Sequence, residues 1–150
     1  MRAAVYWDAS AVLSTLTTDA HSESALAWYR QGYVHLVSTL AYAESCAVLS
    51  RLRREGTITG DQLAEAMDSL SCEPWRRLAT GPGWDEIAEA AARWNLRGAD
   101  LWHFATVLTL RKRHLPDLLM LTIDARLRAA AEEAGFAATS EFDADRQPDA

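Results

Sequence analysis

Residues 3–13 read AAVYWDASAVL. The unbroken apolar run Ala3–Trp7 fits a strand buried on both faces, because a strand with one wet face would alternate apolar and polar residues. Asp8 ends that run, and the helical pattern that starts at about Ser10 sets it at a strand-to-helix turn. It is the only charge between Arg2 and Asp19. Open α/β sheets hold their ligands beyond the carboxyl ends of their strands, which is where this carboxylate falls.

Working outward, short apolar runs alternate with helical patterns, as in a sheet of parallel strands with helical crossovers. Strands are expected at Ala3–Trp7, His35–Val37, Trp75–Ala79, Leu118–Ile123 and Phe136–Thr139. Helices are expected from about Ser10, then over Ser22–Gln31, Thr39–Glu55, Thr59–Leu70, Asp85–Trp94, Gly98–Lys112 and Ala125–Ala134. Ser22, and Thr59 or Asp61, suit helix starts, and Gly32, Gly56 and Gly135 suit stops. The reading is an α/β fold: a short, mainly parallel five-stranded sheet in a doubly wound arrangement. It occupies 1–139 as one domain, with a polar tail over 140–150.

At 49% hydrophobic and 24% charged residues, the chain has the composition of a folded globular domain. Cys46 and Cys72 have neither disulfide-framework nor zinc-site spacing. No apolar run approaches the roughly 18 residues of a membrane span, and Asp8 breaks the N-terminal stretch before it resembles a secretion signal. A cytoplasmic protein is expected. The net charge of −6 excludes binding nucleic acid by bulk electrostatics, although local arginines still suit phosphate. There is no GxxxxGK[ST] or GxGxxG loop. A receiver domain would need an acidic pair before the first strand, and a dehalogenase-like phosphatase would need an aspartate where Ser10 stands.

Three further acids stand apart from other charges. Glu44 interrupts LAYAESCAVL, Asp100 lies in GADLWHFATVLTL, and Asp124 follows LLMLTI directly. A carboxylate among apolar residues needs a partner or a shifted pKa. Asp8 and Asp124 can each be read as helix caps, and Asp100 as a first-turn acid favoured by the helix dipole. Glu44, in mid-helix, has no such role. Should the four converge, a cation is needed to relieve their repulsion, and oxygen-only ligands select Mg²⁺ or Mn²⁺. Such an ion takes phosphate readily, so a phosphodiester is the natural substrate.

The stretches VYWDASAVL, TLAYAESCAVLSRL, LRGADLWHFATVL and LTIDARLRAAAEEAGF, in this order, resemble the PIN domain family, in particular the VapC-type toxins of bacterial toxin–antitoxin pairs. The resemblance implies a three-layer α/β/α fold and an endoribonuclease dependent on Mg²⁺, with Mn²⁺ as alternative. It carries over Asp8, Glu44, Asp100 and Asp124 as the acidic cluster, with Asp8 and Asp100 the most direct metal ligands. Ser10 and Thr122 match small hydroxyl positions beside the acids. It further implies an RNA substrate, products with 5′-phosphate and 3′-hydroxyl ends, a homodimer, and a cognate antitoxin whose tail covers the acids.

Other residues carry two readings. Arg51, seven residues after Glu44 on the same helix face, suits a phosphate or an ion pair with Glu55, and Arg97 is equally open. His103 is read as a hydrogen-bonded packing residue. Trp28, Trp75 and Trp84 either pack or line a groove for a partner helix. The alternative to a nuclease is a PIN-like module that binds RNA or protein without cutting.

Overall fold

A computed structural model describes residues 2–139. The polar tail expected over 140–150 lies outside the described residues. Along the chain run β1 (Ala4–Trp7), α1 (Ala9–Leu16), α2 (Ser22–Tyr29), β2 (Val34–Ser38), α3 (Thr39–Arg54) and α4 (Gly60–Ser71). There follow β3 (Trp75–Leu78), α5 (Trp84–Arg93), α6 (Gly98–Arg113), β4 (Leu119–Leu121) and α7 (Ala125–Glu133).

All strand pairs are parallel and the order is β3-β2-β1-β4. Trp7 lies opposite Val37 on one side and Leu121 on the other, so β1 is central. Its alternation divides the core in two. Val5 and Trp7 point into a cluster with Val12, Trp28, Leu49, Leu70 and Trp75, beneath α1–α4. Ala4 and Tyr6 point the other way, to Phe104, Val107, Leu127 and Phe136, beneath α5–α7. Burial on both faces is what the apolar run required, and the result is a three-layer α/β/α architecture.

The sheet has four strands, not five. The segment expected as a strand over Phe136–Thr139 makes a single bridge, Met120 to Ala137. Both of its ladder bonds go to Met120: the Met120 N–H donates to Phe136 O at 2.8 Å, and the Ala138 N–H to Met120 O at 2.8 Å. Further pairing fails because β4 ends at Leu121, after only three residues. The two residues that follow, Thr122 and Ile123, direct their polar groups to Asp8 and Ser10 instead. Gly135, at φ +82°, makes the left-handed turn after α7 that brings this segment back to the sheet.

Helix ends also follow local chemistry. Thr59 caps α4 in a reciprocal box with Gln62, as its position suggested. Ser22 is the first helical residue of α2 rather than its cap, since its hydroxyl donates to Thr17 O and accepts from the Asp19 N–H. Trp28 and Trp75 are core residues: Trp28 packs on Tyr33 and Trp75 edge-on to Trp7. Trp84 alone of the three is open, at 90% exposure.

His35 is the polar residue at the centre of the aromatic core. Its Nδ1 accepts from Trp7 Nε1 at 3.1 Å, so the ring proton lies on Nε2, which faces Gln31 O at 3.2 Å. Burial pushes the His35 pKa below the ordinary value, because a charged ring there would lose both solvation and the Trp7 bond. The unfolded chain therefore binds the proton more readily. His35 stabilises the fold fully above its unfolded pKa of about 6.5, and that contribution is lost as pH falls below it. Urea unfolding at pH 7 and pH 5 should show a larger drop in stability for the wild type than for His35→Asn; equal drops would remove His35 from the pH dependence.

Candidate active site

In this sheet β1 connects outward to β2 and β3, while β4 lies on the opposite side. The strand order reverses between β1 and β4, and such a switch point opens a crevice at the carboxyl ends of the two strands. Asp8 follows β1 there, and Thr122 follows β4.

Asp8 is 3% exposed and bonded on both oxygens. Oδ1 accepts from Ser10 Oγ at 2.7 Å and from the Ala11 N–H at 3.0 Å, while Oδ2 accepts from Thr122 Oγ1 at 2.6 Å. Each carboxylate oxygen has two lone pairs. Among the described residues, Oδ1 is thus saturated and Oδ2 keeps one acceptor position. Burial pushes the Asp8 pKa up, and the bonds from Thr122, Ala11 and Ser10 oppose it. Asp8 also caps α1, so its cap reading holds.

Asp124 is reached through the same hydroxyls. Its backbone N–H donates to Thr122 Oγ1 at 3.2 Å, and its Oδ1 caps α7 by accepting from the Leu127 N–H at 2.9 Å. Asp124 and Asp100 then line one open depression of about 440 Å³, together with Arg97, Ala125 and Arg126. Asp100 sits in the first turn of α6 and accepts no hydrogen bond from the described residues. Its pKa is raised, first by partial burial and then by the charge of Asp124, with Glu44 adding to it and His103 and Arg97 opposing it.

Glu44 projects from α3, half-buried, with Oε1 2.6 Å from His103 Nε2. His103 is buried, as its packing role required, and its Nδ1 lies 2.5 Å from the Tyr6 hydroxyl. Tyr6 and Ser38 were not singled out by sequence reasoning. The signal for Tyr6 was available: two residues before Asp8 on a strand, it shares that residue's face. Arg126 was also missed, although it follows Asp124 by two residues.

Of the four acids, Asp100 feels the charges of Asp124 and Glu44, and Asp8 meets Asp124 through the Thr122 hydroxyl. They are not drawn into a finished ligand set: among the described residues, no three His, Cys, Asp or Glu side chains form a group able to hold a metal ion. The donor chemistry nonetheless fits a hard cation, since the crevice offers carboxylate and hydroxyl oxygens, one open position on a buried carboxylate, and an Asp100 held back by its like-charged neighbours. Arg51 takes its ion-pair reading, 3.8 Å from Glu55. A larger hollow of about 650 Å³ among α1, α3 and α4 has Glu65 as its single acid.

Helices on both faces of a parallel sheet, with acidic side chains beyond its strand ends, define an α/β/α domain. No family profile matches the chain. It is 33% identical over 136 residues to the ribonucleases VapC45 and VapC49 of two strains of Mycobacterium tuberculosis, covering 87% of this chain and 91% of each relative. Among solved structures, it resembles the M. tuberculosis toxin VapC20, described as cleaving the sarcin-ricin loop, with a TM-score of 0.58 at 16% identity over 91% of this chain and 98% of the other. It also resembles PAE2754 of Pyrobaculum aerophilum, with a TM-score of 0.56 at 22% identity over 87% and 86%. The chain belongs to the VapC family of PIN-domain ribonucleases.

The Thr122 hydroxyl is the one donor to Asp8 Oδ2 among the described residues. Thr122→Val keeps the shape and removes that donor, leaving a buried charge short of one bond. Without divalent ions, urea unfolding at pH 7 should show a loss of about 1.5–3 kcal/mol, the range for bonds to charged groups. A change below about 0.5 kcal/mol, the spread of ordinary surface substitutions, would mean that Thr122 does not support Asp8.

Proposed function

We propose that this protein is a metal-dependent endoribonuclease that hydrolyses RNA phosphodiester bonds, and the toxin of a toxin–antitoxin pair. The observation that carries this reading is Asp8: a buried carboxylate at the β1/β4 switch point, held by three donors and left with one open oxygen position. Mg²⁺, or Mn²⁺, is the cation whose oxygen preference matches the donors. Asp8 and Asp100 hold it most directly, with Glu44 and Asp124 beside them. When bound, it supplies Lewis acidity at the phosphoryl group.

The chain's own groups do the rest. Ser10 and Thr122 favour the ionised form of Asp8 against its burial by donating to it. Asp124 stays oriented by its bond to the α7 amide. His103 is buried, with both ring nitrogens turned to protein groups, Tyr6 and Glu44, and neither to the open depression. Arg97 and Arg126 flank the Asp100–Asp124 depression, and neither makes an ion pair among the described residues, so their guanidinium groups can receive the phosphates beside the scissile one. A net negative chain binds RNA only through such local cations. The partners that follow are RNA, an antitoxin that must cover this depression to silence it, and a second copy in a homodimer. No helix among the described residues is long and apolar enough to cross a membrane, in keeping with action on cytoplasmic RNA.

The test is cleavage of total RNA after removal of any copurifying protein, with Mg²⁺, with EDTA, and with Asp8→Asn. Outer partners of a metal site typically contribute 10–100-fold, so Asp8→Asn is expected to cost more than about a hundredfold, and EDTA to stop cleavage. RNA left intact by the wild type with either ion would favour a non-catalytic binding module. For the arginines, RNA affinity measured on the Asp8→Asn background should fall with salt less steeply once they are replaced by alanine. The log–log slope should shrink by about 0.7 for each phosphate that is no longer neutralised. An unchanged slope would take Arg97 and Arg126 off the RNA path.

A further inference from the structure

We propose that His103 is the positioning residue for Glu44: a buried circuit of side chains reaches from the core to aim this one acid at the cation. The inference rests on the reading of the four acids as a cation site. Glu44 stands on the second turn of α3, where a glutamate side chain would ordinarily rotate in solvent. Here Oε1 lies 2.6 Å from His103 Nε2. A carboxylate can only accept, so Nε2 donates. Oε2 has no partner among the described residues and is left for a ligand.

The imidazole is itself held. His103 is 1% exposed, and its Nδ1 lies 2.5 Å from the hydroxyl of Tyr6, which is fully buried. The Tyr6 hydroxyl lies 2.9 Å from Ser38 Oγ, which caps α3 by accepting from the Ala41 N–H at 3.1 Å. The circuit thus starts at the first turn of α3, crosses β1 and α6, and returns to α3 at Glu44. It fixes the acid against the two elements that carry Asp8 and Asp100. His103 is three residues after Asp100 on α6, so one helix delivers one acid and steers another. A histidine needed only for packing would satisfy its second nitrogen within the core. This one turns it outward to the single half-exposed carboxylate of α3. Partners that orient metal-binding side chains in this way typically account for 10–100-fold in metal affinity.

The experiment is titration of the metal-free full chain with Mn²⁺ alone, following the free ion by electron paramagnetic resonance. His103→Leu is expected to weaken Mn²⁺ binding by about 10–100-fold, and His103→Gln, which keeps an N–H donor, to recover most of that loss. On a Glu44→Gln background His103→Leu should add less than about threefold, since residues acting through one another are not additive. A folded His103→Leu variant that binds Mn²⁺ like the wild type, or that adds its full loss to that of Glu44→Gln, overturns the proposal. If His103→Leu does not fold, Tyr6→Phe, which removes only the hydroxyl, takes its place, and unchanged Mn²⁺ affinity overturns the proposal. Wild type that neither binds Mn²⁺ nor cuts RNA fails at the cation site itself; wild type that does both, with His103→Leu unaffected, fails only at His103.

Discussion

A carboxylate sunk to 3% exposure at the end of a central strand is the constraint around which the sheet is arranged. Burying an ionised group without partners costs far more than one hydrogen bond returns, so Asp8 must collect donors from whatever surrounds it. It takes two from the turn into α1 and one from beyond β4. The last of these shapes the chain at a point 114 residues away in sequence. To present Thr122 to Asp8, β4 leaves its ladder after Leu121, and the N–H groups of Ile123 and Asp124 are spent on the Ser10 and Thr122 hydroxyls. The short edge strand, and the single bridge that replaces a fifth strand, both follow from this.

The same strand divides its side chains between two tasks. Trp7 faces α1–α4 and ties itself to His35 within a wholly structural aromatic cluster. Tyr6 faces α6 and enters the circuit that ends at Glu44. Burial pushes the pKa of the Tyr6 hydroxyl well above its ordinary range. The fold stabilises itself on one face of β1 and builds chemistry on the other.

Much of this was legible in the sequence, for a physical reason: each decisive feature was local. The apolar run of β1, the alternation of strand and helix, the Thr59 cap and the four isolated acids all declare themselves within a few residues. What was not legible depends on distant pairings. Nothing near Phe136 says that Met120 has no further strand to offer. Nothing near His103 says that its second nitrogen meets Glu44, 59 residues earlier. Trp28 and Trp75 stayed open between two readings, because a tryptophan looks the same in sequence whether its ring fills a core or a groove. Arg51 and Glu55 illustrate the milder case, where the spacing allowed two partners and only the structure chose.

The acids also differ in how they are restrained, and that difference bears on what the site needs. Asp8 is held by hydroxyls, Asp124 by the first amides of α7, and Glu44 by His103. Asp100 has no hydrogen bond of this kind. It feels Asp124 and Glu44 as repulsion, opposed in part by His103 and Arg97. Three acids are thus fixed by the protein, and the fourth is left for something else to fix. Like charges kept apart by separate elements still repel one another, and on the proposed cation-site reading a divalent ion is what relieves them. The arrangement also explains why no three ligands are gathered among the described residues. A set closed without a counter-charge would disfavour its charged forms further, whereas spacing the acids on separate elements limits their mutual repulsion.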